Sequence, residues 1–411
     1  MEAWCAPEHE PLVLVSGEGT LLRDSEGREY IDGNSSIWTN LHGHRHLKID
    51  AAIRAQLDRV AHTSFLGFTH PPAAQFAREL VALWPPDTLT RVFFSDDGST
   101  AIEVAIKMAL QFWAQSGQPQ RRRFVAFRDA YHGDTLGAAS LGGIGLFQGA
   151  FHGGLAVATV PDLAALENLD PTEIAAVVIE PLIQGAAGMR LWPRGLLREL
   201  RRWCDERGVF LIADEVMTGF GRTGTMFACE QEDVVPDFIA LAKGLTGGYL
   251  PLAATLTTDR VFRAFLGGPE RALYYGHSYT ANQLGCAAAL ANLAIFREEN
   301  VLAHLGEKIA RLNTLLTSLR EQQRHVAEIR QCGFISGIEL RRDGGHPFPT
   351  EDRIGTRVCL AARKRGLLTR PIRDTIVLMP PYCITNTQLA QCVEAIARSV
   401  AEVCEGDQSR S

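Results

Sequence analysis

Short apolar runs alternate with helix-like segments between residues 48 and 260, and this alternation constrains the fold more than any other feature. The apolar runs are Arg91–Phe94, Phe124–Phe127, Ala175–Ile179, Val209–Ala213, Phe238–Leu241 and Ala253–Leu256. Runs this short that are bounded by turn residues are typical of buried strands. Because strands separated by helices favour a mostly parallel or mixed sheet, we predict an α/β fold in which helices flank the sheet.

The two ends of the chain have a different pattern. Before residue 33, short β-type runs alternate with glycine-containing turns, which predicts a small sheet. After residue 297, long helical patterns alternate with short strands, as in an α+β domain. A chain of 411 residues is long enough for two domains. We therefore predict a large domain over residues 45–296 and a smaller α+β domain built from residues 1–44 and 297–411.

Charge and hydropathy exclude several classes of partner. The chain has 41 basic and 47 acidic residues and no basic block, which argues against nucleic acid as the main partner. The longest nearly apolar stretch, Leu284–Phe296, is too short to span a bilayer. The first ten residues are acidic and lack the apolar core of a secretion signal, and the nine cysteines include no Cys-x-x-Cys pair. We therefore expect a cytoplasmic protein without a membrane partner.

Ligands of open α/β sheets bind at the carboxyl ends of the strands, so the residues after each apolar run are the first candidates for a site. After Arg91–Phe94, the small residues Gly98 and Ser99 begin a helical run. Free N–H groups at a helix N-terminus suit a phosphate, although Asp97 or Ser99 could equally serve as a helix cap. The next run leads to Tyr131, whose ring could stack on a planar ligand or simply pack.

Two charged residues also follow apolar runs. Asp214 follows Val209–Ala213, where a carboxylate is costly to bury unless it has a partner such as a pyridinium nitrogen. Lys243 follows the next run and precedes a glycine-rich turn. A desolvated lysine loses its proton more readily, and a neutral amine is what Schiff-base chemistry requires.

The scarcity of lysine makes Lys243 a distinctive candidate. Of the 41 basic residues only five are lysines, and the other four lie in helical patterns with polar neighbours: Lys48, Lys107, Lys308 and Lys364. A lysine, an aspartate, a helix N-terminus for phosphate and an aromatic ring are together the groups that hold pyridoxal 5′-phosphate (PLP). The sequence therefore predicts a PLP site formed by Gly98, Ser99, Tyr131, Asp214 and Lys243.

These segments resemble the class III, fold-type I, PLP-dependent aminotransferases over nearly the whole chain. Asp214–Gly224 and Ala242-Lys243-Gly244 carry the resemblance most directly. Further similar segments are Asp32–Trp38, Ser95–Ala105, Tyr131–Thr135, Gln184–Met189, Met226–Glu230, Arg370-Pro371 and Leu378–Tyr382. Within the family, the chain looks most like the branch of biotin biosynthesis that converts 8-amino-7-oxononanoate to 7,8-diaminononanoate.

The resemblance implies a role for each matching position. Lys243 would be the catalytic residue and would bind the PLP aldehyde, Asp214 the ring nitrogen, and Gly98 and Ser99 the phosphate, while Tyr131 would cover the ring. The substrate residues would be Trp38, Tyr131, Lys243, Gly276 and Arg370.

Two further implications concern the substrate carboxylate and the partner subunit. Arg370 would bind the carboxylate of the oxononanoate, since arginine forms bidentate bonds to carboxylates. His277 and Ser278 would contact the phosphate bound by the neighbouring subunit. The resemblance therefore implies a homodimer with shared active sites.

Other positions bear on the substrates. Met217 stands where many relatives acting on ornithine or 4-aminobutyrate carry glutamine, which favours the biotin branch. The segment Gly276–Thr280 is similar to a subgroup, some of whose members take lysine rather than S-adenosylmethionine as amino donor, so both donors stay open. Of the aromatic N-terminal segment usual in the family, Trp4 and Pro7 are present.

Alternative functions remain at this point. Another class III transaminase acting on an ω-amino acid or diamine would carry the same PLP residues, and so would a PLP-dependent aminomutase. A non-catalytic PLP-binding protein is disfavoured because Lys243, Asp214 and Arg370 occur together. His42, His44 and His46 alternate along the chain, but no carboxylate or cysteine completes a metal-ligand set, so we expect no metal.

Overall fold

The computed structural model describes residues 11–145 and 154–406. Trp4 and Pro7 lie outside the described residues. The chain divides into two compact units. The larger unit comprises residues 48–187 and 192–299, and the smaller unit comprises residues 1–47, 188–191 and 300–411.

The secondary structure alternates along the chain. The strands are β1 Leu14–Glu18, β2 Leu21–Asp24, β3 Glu29–Asp32, β4 Leu89–Ser95, β5 Arg123–Phe127, β6 Val157–Val160, β7 Ile174–Ile179, β8 Ile183–Gln184, β9 Arg190–Leu191, β10 Phe210–Asp214, β11 Phe238–Leu241, β12 Ala253–Thr258, β13 Val326–Cys332, β14 Ile335–Leu340, β15 Leu367–Leu368, β16 Pro371–Ile372 and β17 Thr375–Leu378. The main helices are α1 Leu47–Leu57, α2 Pro71–Val81, α3 Gly98–Gln115, α4 Leu136–Ser140, α5 Leu196–Arg207, α6 Asp259–Ala264, α7 Gln283–Glu298, α8 Val301–Gln322, α9 Ile354–Arg363 and α10 Asn386–Gly406.

The larger unit is built on a seven-stranded sheet. Its strand order is β4-β12-β11-β10-β7-β5-β6. The neighbouring pairs β6–β5, β5–β7, β7–β10 and β10–β11 are parallel. Strand β12 is antiparallel to both of its neighbours, β4 and β11. The carboxyl ends of β4, β5, β7, β10 and β11 therefore lie at one edge of the sheet. This mixed, mostly parallel sheet confirms the predicted α/β class.

Helix α3 packs on the sheet through its apolar side. Ile102, Ala105 and Ala109 are fully or almost fully buried against sheet residues that include Val178 and Phe238. Burial of such side chains contributes about 1.5–3 kcal/mol each for the larger ones, which fixes the N-terminus of α3 relative to the sheet edge.

The smaller unit contains two four-stranded sheets. One has the order β1-β2-β3-β15. In it, β15, from the last quarter of the chain, pairs in parallel with the N-terminal strand β3. The other has the order β13-β14-β17-β16. All predicted strands are found, with ends shifted by a few residues, but β6 and the two-residue strands β8, β9 and β16 were not predicted.

Within residues 11–145 and 154–406, no helix combines the length and the apolar character needed to cross a bilayer.

Candidate active site

The carboxyl ends of the parallel strands are joined by hydrogen bonds between the loops that follow them. The N–H of Asp134, after β5, donates to Oγ of Ser99, after β4, at 3.1 Å. The N–H of Tyr131, also after β5, donates to Oε1 of Glu180, after β7, at 3.1 Å. His132 reaches Asp214 at the end of β10. The structure thus brings together three of the predicted strand ends, as well as Glu180, which the sequence analysis did not select.

The start of α3 leaves hydrogen-bond donors for a ligand. Asp97 is the N-cap and its Oδ1 accepts from the N–H of Thr100 at 2.9 Å, so the cap interpretation is confirmed for this residue. The first N–H groups of a helix have no intrahelical acceptor, which leaves those of Gly98 and Ser99 for an anion.

The loop after β5 closes tightly on this helix start. Gly133 has a φ of 127°, and a Cβ added to it would lie 2.4 Å from Oγ of Ser99. A Cβ on Gly98 would lie 2.7 Å from Cγ1 of Val216. Both positions therefore need glycine for the backbone to approach this closely.

Asp214 is paired with a buried histidine. Its Oδ2 lies 2.7 Å from Nδ1 of His132, and its Oδ1 accepts from the N–H of Val216 at 3.1 Å. His132 is 3% exposed and Asp214 6%. Burial alone lowers the pKa of His132, but the hydrogen bond and the charge of Asp214 raise it above its usual value overall. The pair therefore holds the carboxyl group of Asp214 and the imidazole of His132 in fixed positions at the sheet edge.

Glu180 adds a second buried carboxyl group beside this pair. It accepts from the N–H groups of Tyr131 and Gly185, the latter at 2.8 Å to Oε2. Burial raises the pKa of Glu180 to about 7, the charge of Asp214 acts in the same direction, and His132 opposes it. Glu180 thus ties the loop after β5 to the turn before residue 188.

The neighbouring acid, Glu215, has a different environment. It is fully buried and accepts from Oγ1 of Thr218 and from the N–H groups of Ala228 and Cys229, at 2.8–2.9 Å. Burial raises the pKa of Glu215. Because its oxygens are occupied by its own loop, Glu215 organises the segment after β10.

Lys243 begins a 3-10 turn, Lys243–Thr246, directly after β11. Asp214 is paired with Ala240 across the parallel strands β10 and β11, so Lys243 lies three residues beyond the position opposite Asp214. Lys243 has a φ of 30°, in the left-handed region. Its backbone is therefore strained, a state that is typical of functional sites.

Tyr131 is half-buried and its hydroxyl donates to Oδ2 of Asp134 at 2.8 Å. Burial and this bond raise the pKa of Tyr131 above its usual range. The phenol therefore stays neutral. Because the N–H of Tyr131 donates to Glu180 and its hydroxyl to Asp134, the ring is held in place and can cover a planar ligand.

The segment Gly276–Ser278 lies near the start of α3. Nδ1 of His277 is 3.0 Å from Oδ2 of Asp96, two residues before Gly98, and the N–H of His277 donates to Oγ1 of Thr280 at 2.9 Å. Ser278 is exposed. The contribution of this segment to a partner subunit stays a prediction.

The remaining predicted substrate residues belong to the smaller unit. Trp38 lies in an irregular turn and its Nε1 donates to Oδ1 of Asn34 at 2.8 Å. Arg370 lies between β15 and β16 and is half-buried. Their roles toward a substrate also stay predictions.

Two residues of the site were missed in the sequence. Glu180 follows a fully buried strand, so the rule that selected Asp214 and Lys243 would have selected it too. His132 stands next to Tyr131, but only the fold brings it to Asp214, 82 residues away.

The model of the family described as aminotransferase class-III matches residues 4–400. The chain belongs to the class III aminotransferases.

Relatives in this family cover the chain almost completely. It is similar to the adenosylmethionine-8-amino-7-oxononanoate aminotransferase of Nitratidesulfovibrio vulgaris, with 48% identity over 96% of this chain and 78% of the relative. The enzyme of the same name from Geobacter sulfurreducens is 45% identical over 99% and 95%, respectively.

Solved structures of the family have the same fold. The crystal structure of adenosylmethionine-8-amino-7-oxononanoate aminotransferase from Methanocaldococcus jannaschii has a TM-score of 0.93 and 40% identity, covering 96% of this chain and 94% of that one. A PLP-bound amine transaminase from an uncultivated Pseudomonas species has a TM-score of 0.91 and 34% identity, covering 97% of both chains. These likenesses confirm the fold-type I prediction.

PLP is the cofactor of class III aminotransferases, and the strand-end residues of this aminotransferase fit it. The buried Nε2 of His132 has no hydrogen-bond partner among the described residues, so the Asp214–His132 pair is not closed off by protein groups. The helix start and the hydroxyl of Ser99 suit a phosphate, Asp214 suits a pyridinium nitrogen, and Lys243 suits an aldehyde.

Proposed function

We propose that this aminotransferase transfers an amino group to 8-amino-7-oxononanoate and forms 7,8-diaminononanoate, with S-adenosylmethionine or lysine as donor. The observation that carries the proposal is the similarity to relatives named for this reaction, at 48% and 45% identity over 96% and 99% of the chain. Arg370, which is half-buried in the smaller unit, supports it because the substrate has a carboxylate.

Each strand-end residue has a proposed role in the reaction. Bound PLP supplies an electron sink that stabilises negative charge at the carbon losing its proton. Asp214, held by His132, keeps a proton on the ring nitrogen. The N–H groups and hydroxyl at the start of α3 bind the phosphate, and the ring of Tyr131 excludes water from one face. Lys243 moves the proton at the reacting carbon with its amine.

We also propose that two copies of the chain form the active enzyme. In the segments that contain Leu66 and Gly276, the apolar side chains of Leu66, Phe68, Tyr274 and Tyr279 are 59%, 71%, 76% and 62% exposed. A Cβ on Gly276 would lie 2.9 Å from Cδ2 of Leu66, so this surface adjoins the segment expected to reach the partner's phosphate. An apolar surface of this kind is typical of an interface. Sedimentation should therefore give the mass of two chains, and a monomer would contradict the proposal.

A cytoplasmic location is part of the same proposal. The eight described cysteines are free, which suits a reducing compartment. Both candidate donors are ordinary small molecules of that compartment.

The decisive experiment is an incubation of the PLP-loaded enzyme with 8-amino-7-oxononanoate and either donor, with mass spectrometry of the products. The expected result is 7,8-diaminononanoate together with the keto form of one donor. Formation of an isomeric amino ketone, with neither the diamine nor a keto product from the donor, would indicate an aminomutase.

A second candidate is an amine transaminase of broader range, favoured by the 0.91 TM-score to the Pseudomonas enzyme. In that case simple amines would react with a keto acid faster than either donor reacts with the oxononanoate. The same incubation, run with a series of amines, separates the two candidates.

A further inference from the structure

Helix α7 contains a polar side chain where an apolar one would be expected. Asn292 is completely buried, on a helix whose other buried residues beyond its first turn are apolar, such as Ala288, Ala289 and Ile295. A buried amide is unfavourable unless it is hydrogen-bonded, so its presence here needs a partner.

The partners of Asn292 are two carbonyl groups of the turn that begins with Lys243. Nδ2 of Asn292 donates to the carbonyl oxygen of Gly244 at 3.0 Å and to that of Leu245 at 3.1 Å. Both hydrogen atoms of one amide are thus directed at consecutive carbonyls. Within the turn itself, the N–H of Leu245 donates to the carbonyl of Ala242 at 2.7 Å. The amide therefore joins helix α7 to the turn at the end of β11.

The turn that Asn292 binds contains a strained backbone at Lys243. Its φ of 30° is unfavourable for a residue with a side chain. Such a conformation persists only where the surrounding structure over-determines it. The preceding Ala242 is also outside the regular regions, with φ of −156° and ψ of −133°. The backbone at Ala242 and Lys243 is therefore irregular, and the Asn292 amide binds the carbonyls of the following turn from a different helix.

We propose that Asn292 is a positioning residue, which holds the turn in the strained geometry that directs the Lys243 amine at the reacting carbon. This inference rests on the proposed role of Lys243. It predicts that loss of the amide changes the direction of the amine more than it changes substrate binding. A misplacement of about 1 Å can cost about 100-fold in rate, even when the altered residue does not touch the substrate.

The test compares Asn292→Leu, which keeps the size of the side chain but cannot donate, with the wild-type holoenzyme. We expect kcat to fall by about 10- to 100-fold while KM for both substrates changes by less than about threefold. We also expect a shift in the pH at which the visible absorbance of the bound cofactor changes, because this absorbance reports the proton at its bond to Lys243.

Ser399→Ala is the matched control. Ser399 is also fully buried and its hydroxyl donates to a carbonyl, that of Ala395, at 2.7 Å, but it lies in α10 of the smaller unit. This variant should leave kcat and the absorbance titration unchanged. If Asn292→Leu does not fold, Asn292→Ser serves instead, because its short hydroxyl is polar but cannot bond both carbonyls.

The outcomes are distinct. A folded Asn292 variant with wild-type kcat and an unshifted titration would overturn the inference, and so would equal losses in Ser399→Ala. If instead the wild-type protein showed no visible absorbance from a lysine-bound cofactor, the proposed role of Lys243 would be wrong, and this result is separate from any effect of Asn292.

Discussion

Predicted functional residues lie in two different backbone settings. One is the strand-end cluster of the larger unit, formed by Gly98, Ser99, Tyr131, Asp214 and Lys243, and the other is the segment Asn34–Trp38 of the smaller unit. In the cluster, Asp214 ends a regular strand and Ser99 is the second residue of a regular helix. In the segment, Ser35, Ser36 and Trp38 all have positive φ values, of 47°, 63° and 69°. The positions of Asp214 and Ser99 follow from the topology of a sheet, whereas that of Trp38 depends on a strained backbone.

Tertiary hydrogen bonds maintain the strained segment. Oδ1 of Asp32 accepts from the N–H of Ser36 at 2.8 Å, and its Oδ2 lies 3.0 Å from Nε2 of His44. The hydroxyl of Ser35 donates to the carbonyl of Met379 at 2.8 Å, on a part of the chain 344 residues away. The conformation of Trp38 is therefore set by distant partners, and local sequence preferences would not produce it.

The comparison predicts that a change in the cluster affects every substrate equally. Asp214→Asn removes the charge that keeps the ring nitrogen protonated, so kcat should fall by about 100- to 1000-fold in both half-reactions. Stopped-flow measurements with the donor and with the oxononanoate check this. Asp233→Asn, at a side chain that is 92% exposed, is the control. A loss confined to one half-reaction would show that Asp214 does not affect every substrate equally.

A change in the smaller unit should instead distinguish between substrates. Arg370→Lys keeps the charge but loses the bidentate bonds to the carboxylate, which are worth about 1.5–3 kcal/mol. KM for 8-amino-7-oxononanoate should rise by about 10- to 100-fold, with a smaller change for an amino acceptor that lacks a carboxylate. Steady-state kinetics with both acceptors measure this. Arg373→Lys, at an exposed position three residues later, should have no effect. Equal losses for both acceptors would contradict the assignment of Arg370.

The same contrast explains how much could be predicted from the sequence. The strands and the Asp214 and Lys243 positions follow from short apolar runs, because the carboxyl ends of parallel strands share one edge. Strand β6 was missed because Val157–Val160 is a short, partly exposed edge strand. The contacts of His132 with Asp214 and of Asn292 with Gly244 join residues far apart in sequence, so no local pattern reveals them. Trp38 and Arg370 were selected by resemblance alone.

Glu180 gives the smallest expected effect, on stability. The pKa of this carboxyl rises from 4.5 to about 7 on folding, so the folded state binds a proton more tightly than the unfolded state. Stability contributed by this group is therefore present at low pH and is lost as the pH rises from about 4.5 to 7. The glutamine of Glu180→Gln cannot ionise. The free energy of unfolding of the variant minus that of wild type should therefore increase by about 1–3 kcal/mol from pH 5 to pH 8.

Urea unfolding at the two pH values measures this difference. Glu206→Gln, at a side chain that is 60% exposed, should show no comparable change with pH. A Glu180→Gln variant whose stability relative to wild type is the same at both pH values would mean that Glu180 is ionised throughout.

We propose that the strand-end cluster holds PLP with its aldehyde at Lys243. Borohydride reduction of the holoenzyme makes that bond permanent, and peptide mass spectrometry then locates the added group among the five lysines. We expect the phosphopyridoxyl group on Lys243 alone, and we expect a Lys243→Ala variant to give no labelled peptide and no turnover. Labelling of Lys48, Lys107, Lys308 or Lys364 in the native enzyme, or turnover without Lys243, would contradict it.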